Sequence, residues 1–176
     1  KPFPADAAAL RDAFAPGLDV SAVCLYPLSA PLSPHLAARA EGVSVDLSRI
    51  RQAAGEAARV SDLLLVEGAG GITVELREGY SFADLARDLS LPVLIVAENR
   101  LGVLNHLQLT IRCLRSEGIS FFGVILNDLT PGPFPAREQN EAEVRRIAGE
   151  CYLGRIPHGA ASLPEEVLLR FRRRLL

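Results

Sequence analysis

Glu67 stands at the end of an unbroken apolar run, Leu63-Leu64-Leu65-Val66, and is followed by the turn Gly68-Ala69-Gly70-Gly71. A short continuous apolar run fits a strand buried on both faces of a parallel sheet. A carboxylate at the carboxyl tip of such a strand faces the crevice where open α/β sheets bind ligands. Glu67 is therefore the first candidate for chemistry, because a carboxylate oxygen there suits Mg2+ together with substrate phosphate oxygens. The glycines beside it let backbone amides approach a substrate or phosphate more closely than any residue with a Cβ allows. The same pattern also serves as ordinary strand-end punctuation.

Further positions carry suitable groups, most of them with a plainer role open to them. Asp6 offers a second carboxylate for a minimal Mg-nucleotide site with Glu67, or a cap for a helix over Ala7–Phe14. Asn127 presents both a donor and an acceptor, which matches a purine edge, while Pro157 and the turn after it can wall an adenine pocket. An Asn-Asp pair such as Asn127-Asp128 also commonly just makes a turn. Asn105 and His106 fall in the first turn of a helix spanning Leu101–Gly118, where free backbone amides favour a carboxylate. As plain structure, Asn105 is a cap and His106 a packed surface residue.

The elements that must position these groups alternate in type. Val20–Leu25 reads as a short strand. Ser33-Pro34 has the cap-then-proline signature of a helix start, with Gly42 as its stop. Asp46 caps a second helix to about Arg59, with Leu47, Ile50, Ala54 and Ala57 on one face. The Leu63–Glu67 strand follows. Ser81 with Asp84 three residues on resembles a capping box that opens a helix through Leu89. Pro92 introduces a strand at Val93–Val96, and the Leu101–Gly118 helix carries Leu104, Leu107, Ile111 and Leu114 at helical spacing. A strand at Phe121–Leu126, a loop rich in proline (Pro131, Pro133, Pro135), a polar helix ending near Gly149, a strand at Tyr152–Ile156 and an Arg-rich helix complete the chain. Strands alternating with helices predict an α/β fold, a parallel sheet with helices on both faces. Polar residues gather at the strand ends: Glu67, Glu98-Asn99, Asn127-Asp128 and Pro157-His158.

Composition narrows the classes. The 176 residues, 49% apolar, suit a single globular domain. A net charge of −2 gives no footprint for nucleic acid, although Arg170, Arg172, Arg173 and Arg174 make the tail locally basic. No run approaches the roughly 18 apolar residues of a spanning helix, and no signal peptide opens the chain, so a cytoplasmic protein without membrane or nucleic-acid partners is expected. Cys24, Cys113 and Cys151 lack metal spacing and read as small core residues. Methionine is absent and the only lysine is Lys1, so the sequence is expected to be N-terminally incomplete.

The ordered set of pieces resembles dethiobiotin synthetase from end to end. The matching residues are Lys1-Pro2, Ser33-Pro34-His35, Val66-Glu67-Gly68-Ala69-Gly70-Gly71, Leu91-Pro92-Val93, Leu101-Gly102 with Asn105-His106, Gly123 through Asn127-Asp128 with Thr130-Pro131, and Gly154-Arg155-Ile156-Pro157. The resemblance implies a P-loop NTPase-like fold and an ATP- and Mg2+-dependent ring closure, in which 7,8-diaminononanoate and CO2 give dethiobiotin with release of ADP and phosphate. Carried over, Lys1 neutralises carbamate and phosphate oxygens as the catalytic cation, and Asp6 and Glu67 hold Mg2+. Asn127 reads adenine with Ile156 and Pro157 beside it, and Gly70 and Asn105 bind the diamino acid, Asn105 near its carboxylate. A homodimer with the substrate site across its interface is also implied.

Three departures accompany the resemblance. The family carries a GxxxxGK[ST] phosphate loop after its first strand, upstream of the Lys-Pro pair, and no stretch of these residues matches it. The spacing from Lys1 to Asp6 is also short for the family, and an aromatic residue that it often places near Gln139 is lacking. The absent loop leaves open a homologue without nucleotide chemistry that serves as a binding or regulatory module. A related synthetase such as cobyrinic acid a,c-diamide synthase is the other alternative, although no cysteine here has the setting of that enzyme's amidotransferase nucleophile.

Overall fold

In a computed structural model, residues 3–132 and 136–176 are described, and the chain forms two compact units, residues 1–85 and 86–176. Of the expected sites, Lys1 lies outside the described residues, as do Pro133 and Pro135 of the proline-rich loop.

The first unit is mainly helical. Helix α1 spans Ala5–Phe14, α2 Val20–Val23, α3 Pro34–Ala40 and α4 Leu47–Val60. Pro34 opens α3 at its first helical position, where its missing N–H costs nothing, and Gly42 beyond its end takes a left-handed φ of 66°. Asp46 caps α4 by accepting the Ser48 N–H at 2.8 Å. A small core forms where Ala38, Val45 and Leu47 meet Tyr26, Leu28 and Ile50. Two short antiparallel strands, β1 (Glu75–Arg77) and β2 (Tyr80–Ser81), turn at Glu78-Gly79 and lead into α5 (Phe82–Asp88). The expected capping box is present. Asp84 accepts the Ser81 N–H at 2.8 Å, and Ser81 Oγ accepts the Asp84 N–H at 3.3 Å.

Two expected strands are absent from this unit. Val20–Leu25 begins instead as α2, because Asp19 accepts the Ser21 N–H at 2.9 Å and supplies a helix cap that β-branched composition alone does not reveal. Leu63–Glu67 runs without strand pairing among the described residues, and Leu63, Leu65 and Val66 remain 47%, 55% and 46% exposed. Apolar sequence marks what a strand would bury. Only a neighbouring backbone makes it a strand.

The second unit holds the parallel sheet. Strands β3 (Val93–Glu98), β4 (Phe121–Asn127) and β5 (Tyr152–Ile156) lie in the order β3-β4-β5, all parallel. Helix α6 (Val103–Ser116) and α7 (Arg137–Ala148) cover one face, where Val103, Leu107, Ile111 and Val144 bury against Val124, Leu126 and Tyr152. Each such side chain contributes on the order of 2 kcal/mol when fully buried. After a 3-10 turn at Gly149–Cys151, β5 leads to α8 (Glu165–Leu175), whose Val167 and Phe171 cover the other face against Ile125, Leu153 and Phe122. One extra residue in β4 and one in β5 shift the register, placing Phe122 and Leu153 on the α8 side. The α/β expectation, a parallel sheet clad on both faces, therefore holds for this unit. Cys24, Cys113 and Cys151 are half-buried free thiols, and no helix among the described residues is long and apolar enough to cross a membrane.

Candidate functional site

The Glu67 loop is open to solvent, and the residues that follow it are bonded to the start of α5. Glu67 itself is exposed. Beyond it, Val74 donates to Gly71 O at 3.0 Å, Ala83 to Ile72 O at 2.8 Å and Phe82 to Val74 O at 3.0 Å, so the turn is bonded to the start of α5. Two of its glycines are needed for different reasons. A Cβ on Gly68 would lie 3.0 Å from the Phe82 ring, and Gly70 has a φ of 90° that an L-side chain rarely adopts, with Val74 only 3.2 Å from where its Cβ would sit. The structure thus places Glu67 and Gly70 in one solvent-exposed, glycine-rich segment.

Asp6 does not cap its helix. Pro4 occupies the cap position, and Asp6, exposed in the first turn of α1, accepts the Ala7 N–H at 2.9 Å. Among the described residues no group of three or more His, Cys, Asp or Glu side chains converges as a metal cage.

In the second unit the expected nucleotide residues come together. Asn127 ends β4 and is paired in register with Glu98 of β3 on one side and Ile156 of β5 on the other. Its carbonyl accepts the Asn99 N–H at 2.9 Å, and the next N–H, that of Asp128, donates to Ile156 O at 3.0 Å. Pro157 follows at once, exposed, at the head of a turn closed by Ala160 N–H to Pro157 O at 3.2 Å. Asn127, Ile156 and Pro157 therefore share the carboxyl edge of a parallel sheet, where ligands of α/β folds bind. The Asn127 side chain is half-buried and makes no hydrogen bond within the described residues. Asn105 lies exposed in the first turn of α6, whose cap is Gly102 with a φ of 94° rather than Asn105. His106 is likewise exposed.

Beside Asn127 lies a polar cluster around Asp128, whose pairing with Asn127 in sequence also suits a simple turn. Asp128 is 3% exposed. Its Oδ2 accepts from Arg155 Nε at 2.7 Å and pairs with Nη2 at 2.6 Å, and its Oδ1 accepts from Asn99 Nδ2 at 2.9 Å. Arg137 Nε comes within 3.4 Å of the same Oδ1. Glu141 on α7 joins the cluster, accepting from Arg155 Nη1 at 3.2 Å and from the Tyr152 hydroxyl at 2.9 Å. Burial acts to lower the Arg155 pKa, but the Asp128 and Glu141 carboxylates outweigh it and raise it, so this cation stays charged. The available signal was the gathering of Asn99, Asp128 and Arg155 at three successive strand ends.

Comparison with known proteins settles the family. A family model described as an AAA domain matches residues 12–166. The ATP-dependent dethiobiotin synthetase BioD of Aromatoleum aromaticum is 42% identical over 169 residues, 95% of this chain and 74% of that protein. The chain belongs to the dethiobiotin synthetase family. The BioD proteins of Anaeromyxobacter dehalogenans (strain 2CP-C) and Bacillus subtilis are also similar, at 41% over 154 residues and 32% over 163. These alignments cover 88% and 93% of this chain and 69% and 71% of the two relatives. Membership in the dethiobiotin synthetase family makes the chain one of a family of ligase enzymes, and the α/β sheet with its polar carboxyl edge is the scaffold that such chemistry needs.

Proposed function

We propose that this protein closes 7,8-diaminononanoate and CO2 into the cyclic urea dethiobiotin at the expense of ATP, releasing ADP and phosphate. The observation that carries the reading is Asn127: an amide with no hydrogen bond among the described residues, on a backbone bonded at the sheet's carboxyl edge, in a chain similar to ATP-dependent dethiobiotin synthetases. An Asn side chain can pair its acceptor and donor with the adenine edge, with Ile156 and Pro157 beside the ring.

In this reading one amine of the substrate takes up CO2 as a carbamate. A carbamate oxygen attacks the γ-phosphate, ADP departs, and the second amine attacks the mixed anhydride carbonyl and expels phosphate. The protein's contribution is positioning and charge neutralisation. Gly70, in the glycine-rich segment, lets backbone approach the diamino acid, and Asn105 in the first turn of α6 meets its carboxylate with the help of free amides. Lys1 supplies the cation for carbamate and phosphate oxygens. Asp6 and Glu67 are two accessible carboxylates, a donor set that suits Mg2+ when phosphate oxygens and water complete its shell. That ion, when bound, screens charge on the transferring phosphoryl group. The protein acts as a cytoplasmic homodimer.

Glu67→Gln tests the reading in the full-length protein, because it removes a metal-binding charge and keeps the shape. Dethiobiotin formation should fall by roughly a hundredfold or more at limiting Mg2+ with an unchanged melting temperature. Undiminished product formation would remove Glu67 from the site.

A further inference from the structure

We propose that Asp128 is the positioning residue for base recognition: it clamps the tip of β4 so that the Asn127 amide stays in register with the purine edge, and so sets the preference for adenine over guanine. The proposal rests on the reading that Asn127 contacts the base.

Asp128 does not behave as a turn aspartate. A turn aspartate bonds backbone within a couple of residues of itself. Asp128 instead directs both oxygens to distant segments: Arg155 on β5 at 2.7 Å, Asn99 after β3 at 2.9 Å, and Arg137 at the start of α7 at 3.4 Å. One buried carboxylate thus gathers residues from beyond β3, from β5 and from α7 around the end of β4.

The clamp extends outward on both sides. Asn140 donates to Asn99 Oδ1 at 3.1 Å, and Asn99 donates also to the Arg137 carbonyl at 3.3 Å. Arg137 donates to Gly132 O at 2.6 Å and to Thr130 O at 3.1 Å, fixing the chain that leaves Asp128. Arg137 Nε is the one buried side-chain nitrogen left without a hydrogen bond among the described residues, so the cluster is arranged around Asp128 at some cost to Arg137.

Such a cluster is a poor device for stability alone, since buried ion pairs often do no better than apolar side chains of similar volume. What it supplies is a fixed geometry. Asn127 is bonded through its own carbonyl to Asn99 and through the following N–H to Ile156, and both neighbours belong to segments that Asp128 holds. A bidentate amide-to-adenine pair depends on distance and angle at both atoms, so a small movement of the strand tip weakens it and with it the discrimination between ATP and GTP.

The test measures kcat and KM for ATP and GTP in the full-length protein for Asn127→Ala, Asp128→Asn, the double variant and Arg155→Lys, with melting temperatures alongside. Asn127→Ala should reduce the ATP-over-GTP ratio of kcat/KM by roughly tenfold, about the worth of one or two hydrogen bonds. Asp128→Asn should reduce it by a similar factor, chiefly through the KM for ATP, and the double variant should show the ratio of Asn127→Ala alone. Arg155→Lys, at a less buried position, should move the ratio in the same direction by a smaller step. If Asn127→Ala changes the ratio and Asp128→Asn or, where that variant does not fold, Arg155→Lys does not, Asp128 is structural only and the proposal falls while the base reading stands. If the effects of Asn127→Ala and Asp128→Asn multiply in the double variant, Asp128 does not act through Asn127. If Asn127→Ala leaves the ratio unchanged, the base reading fails and takes the proposal with it.

Discussion

The Tyr152 hydroxyl donates to Glu141 Oε1 at 2.9 Å and ties the start of β5 to α7, while Arg155 reaches the other Glu141 oxygen at 3.2 Å. Burial acts to raise the Glu141 pKa, but the Tyr152 and Arg155 hydrogen bonds outweigh it and hold the carboxyl below its ordinary value. Burial and the same Glu141 contact push the Tyr152 phenol well above its own. A carboxyl whose folded-state pKa is lowered stabilises the fold fully above its unfolded value of about 4.3, and the contribution disappears as pH falls through the folded value. Glu141→Gln should therefore cost about 1.5–3 kcal/mol at neutral pH, the usual worth of a hydrogen bond to a charged group. Urea denaturation of both proteins should show that gap closing below about pH 4. A gap that persists in acid would assign the loss to packing instead.

The capping box at the head of α5 gives a second test. Asp84 accepts the Ser81 N–H and hydroxyl at 2.8 and 2.7 Å. Asp84→Ala should destabilise the first unit by about 1 kcal/mol. Thermal melting followed by circular dichroism should register a drop of a few degrees, whereas an unchanged melt would mean that the end of β2 holds α5 without the cap.

Gly70 links stability to the site. Its φ of 90° disfavours any L-residue, so Gly70→Ala should cost about 1–2 kcal/mol and raise the KM for the diamino acid as the turn shifts. A variant as stable and as active as the parent would show that the turn relaxes freely.

How far the sequence foretold this structure differs between the units. In the second, β3, β4 and β5 were legible because each is a short, mainly apolar run bounded by Pro, Gly or polar residues, and α6 because it repeats apolar residues at helical spacing, whereas α7 was read only as a polar stretch ending at Gly149. The carboxyl edge was legible too, as polar residues at strand ends. In the first unit the caps at Asp46 and Ser81-Asp84 were readable because they are local chemistry. Leu63–Glu67 was not, because pairing depends on a partner strand and not on the segment's own residues. The hairpin at Glu75–Ser81 also escaped, being too short for any periodicity, although Glu78-Gly79 was its turn signal. Asp128 was visible as a residue and invisible as a hub, since Arg155, Asn99 and Arg137 meet it only in three dimensions.

Assembly is tested by complementation. Helix α6 exposes Asn105, and Leu101 just before it and Leu109 along it are 78% and 56% exposed. Light scattering should give the mass of a dimer, the stoichiometry of a closed two-fold pair. Mixing inactive Asn105→Ala and Glu67→Gln subunits should restore activity if sites are shared across the interface. A monomer, or no recovery despite proven subunit exchange, would refute the shared site.

The most direct measurement is isotopic. Full-length protein incubated with 7,8-diaminononanoate, ATP, Mg2+ and 13C-bicarbonate should yield dethiobiotin with the label in its ureido carbon, one ADP and one phosphate for each molecule formed. ATP hydrolysis without labelled dethiobiotin, or nucleotide binding without turnover, would contradict the account and leave a nucleotide-binding homologue with some other task.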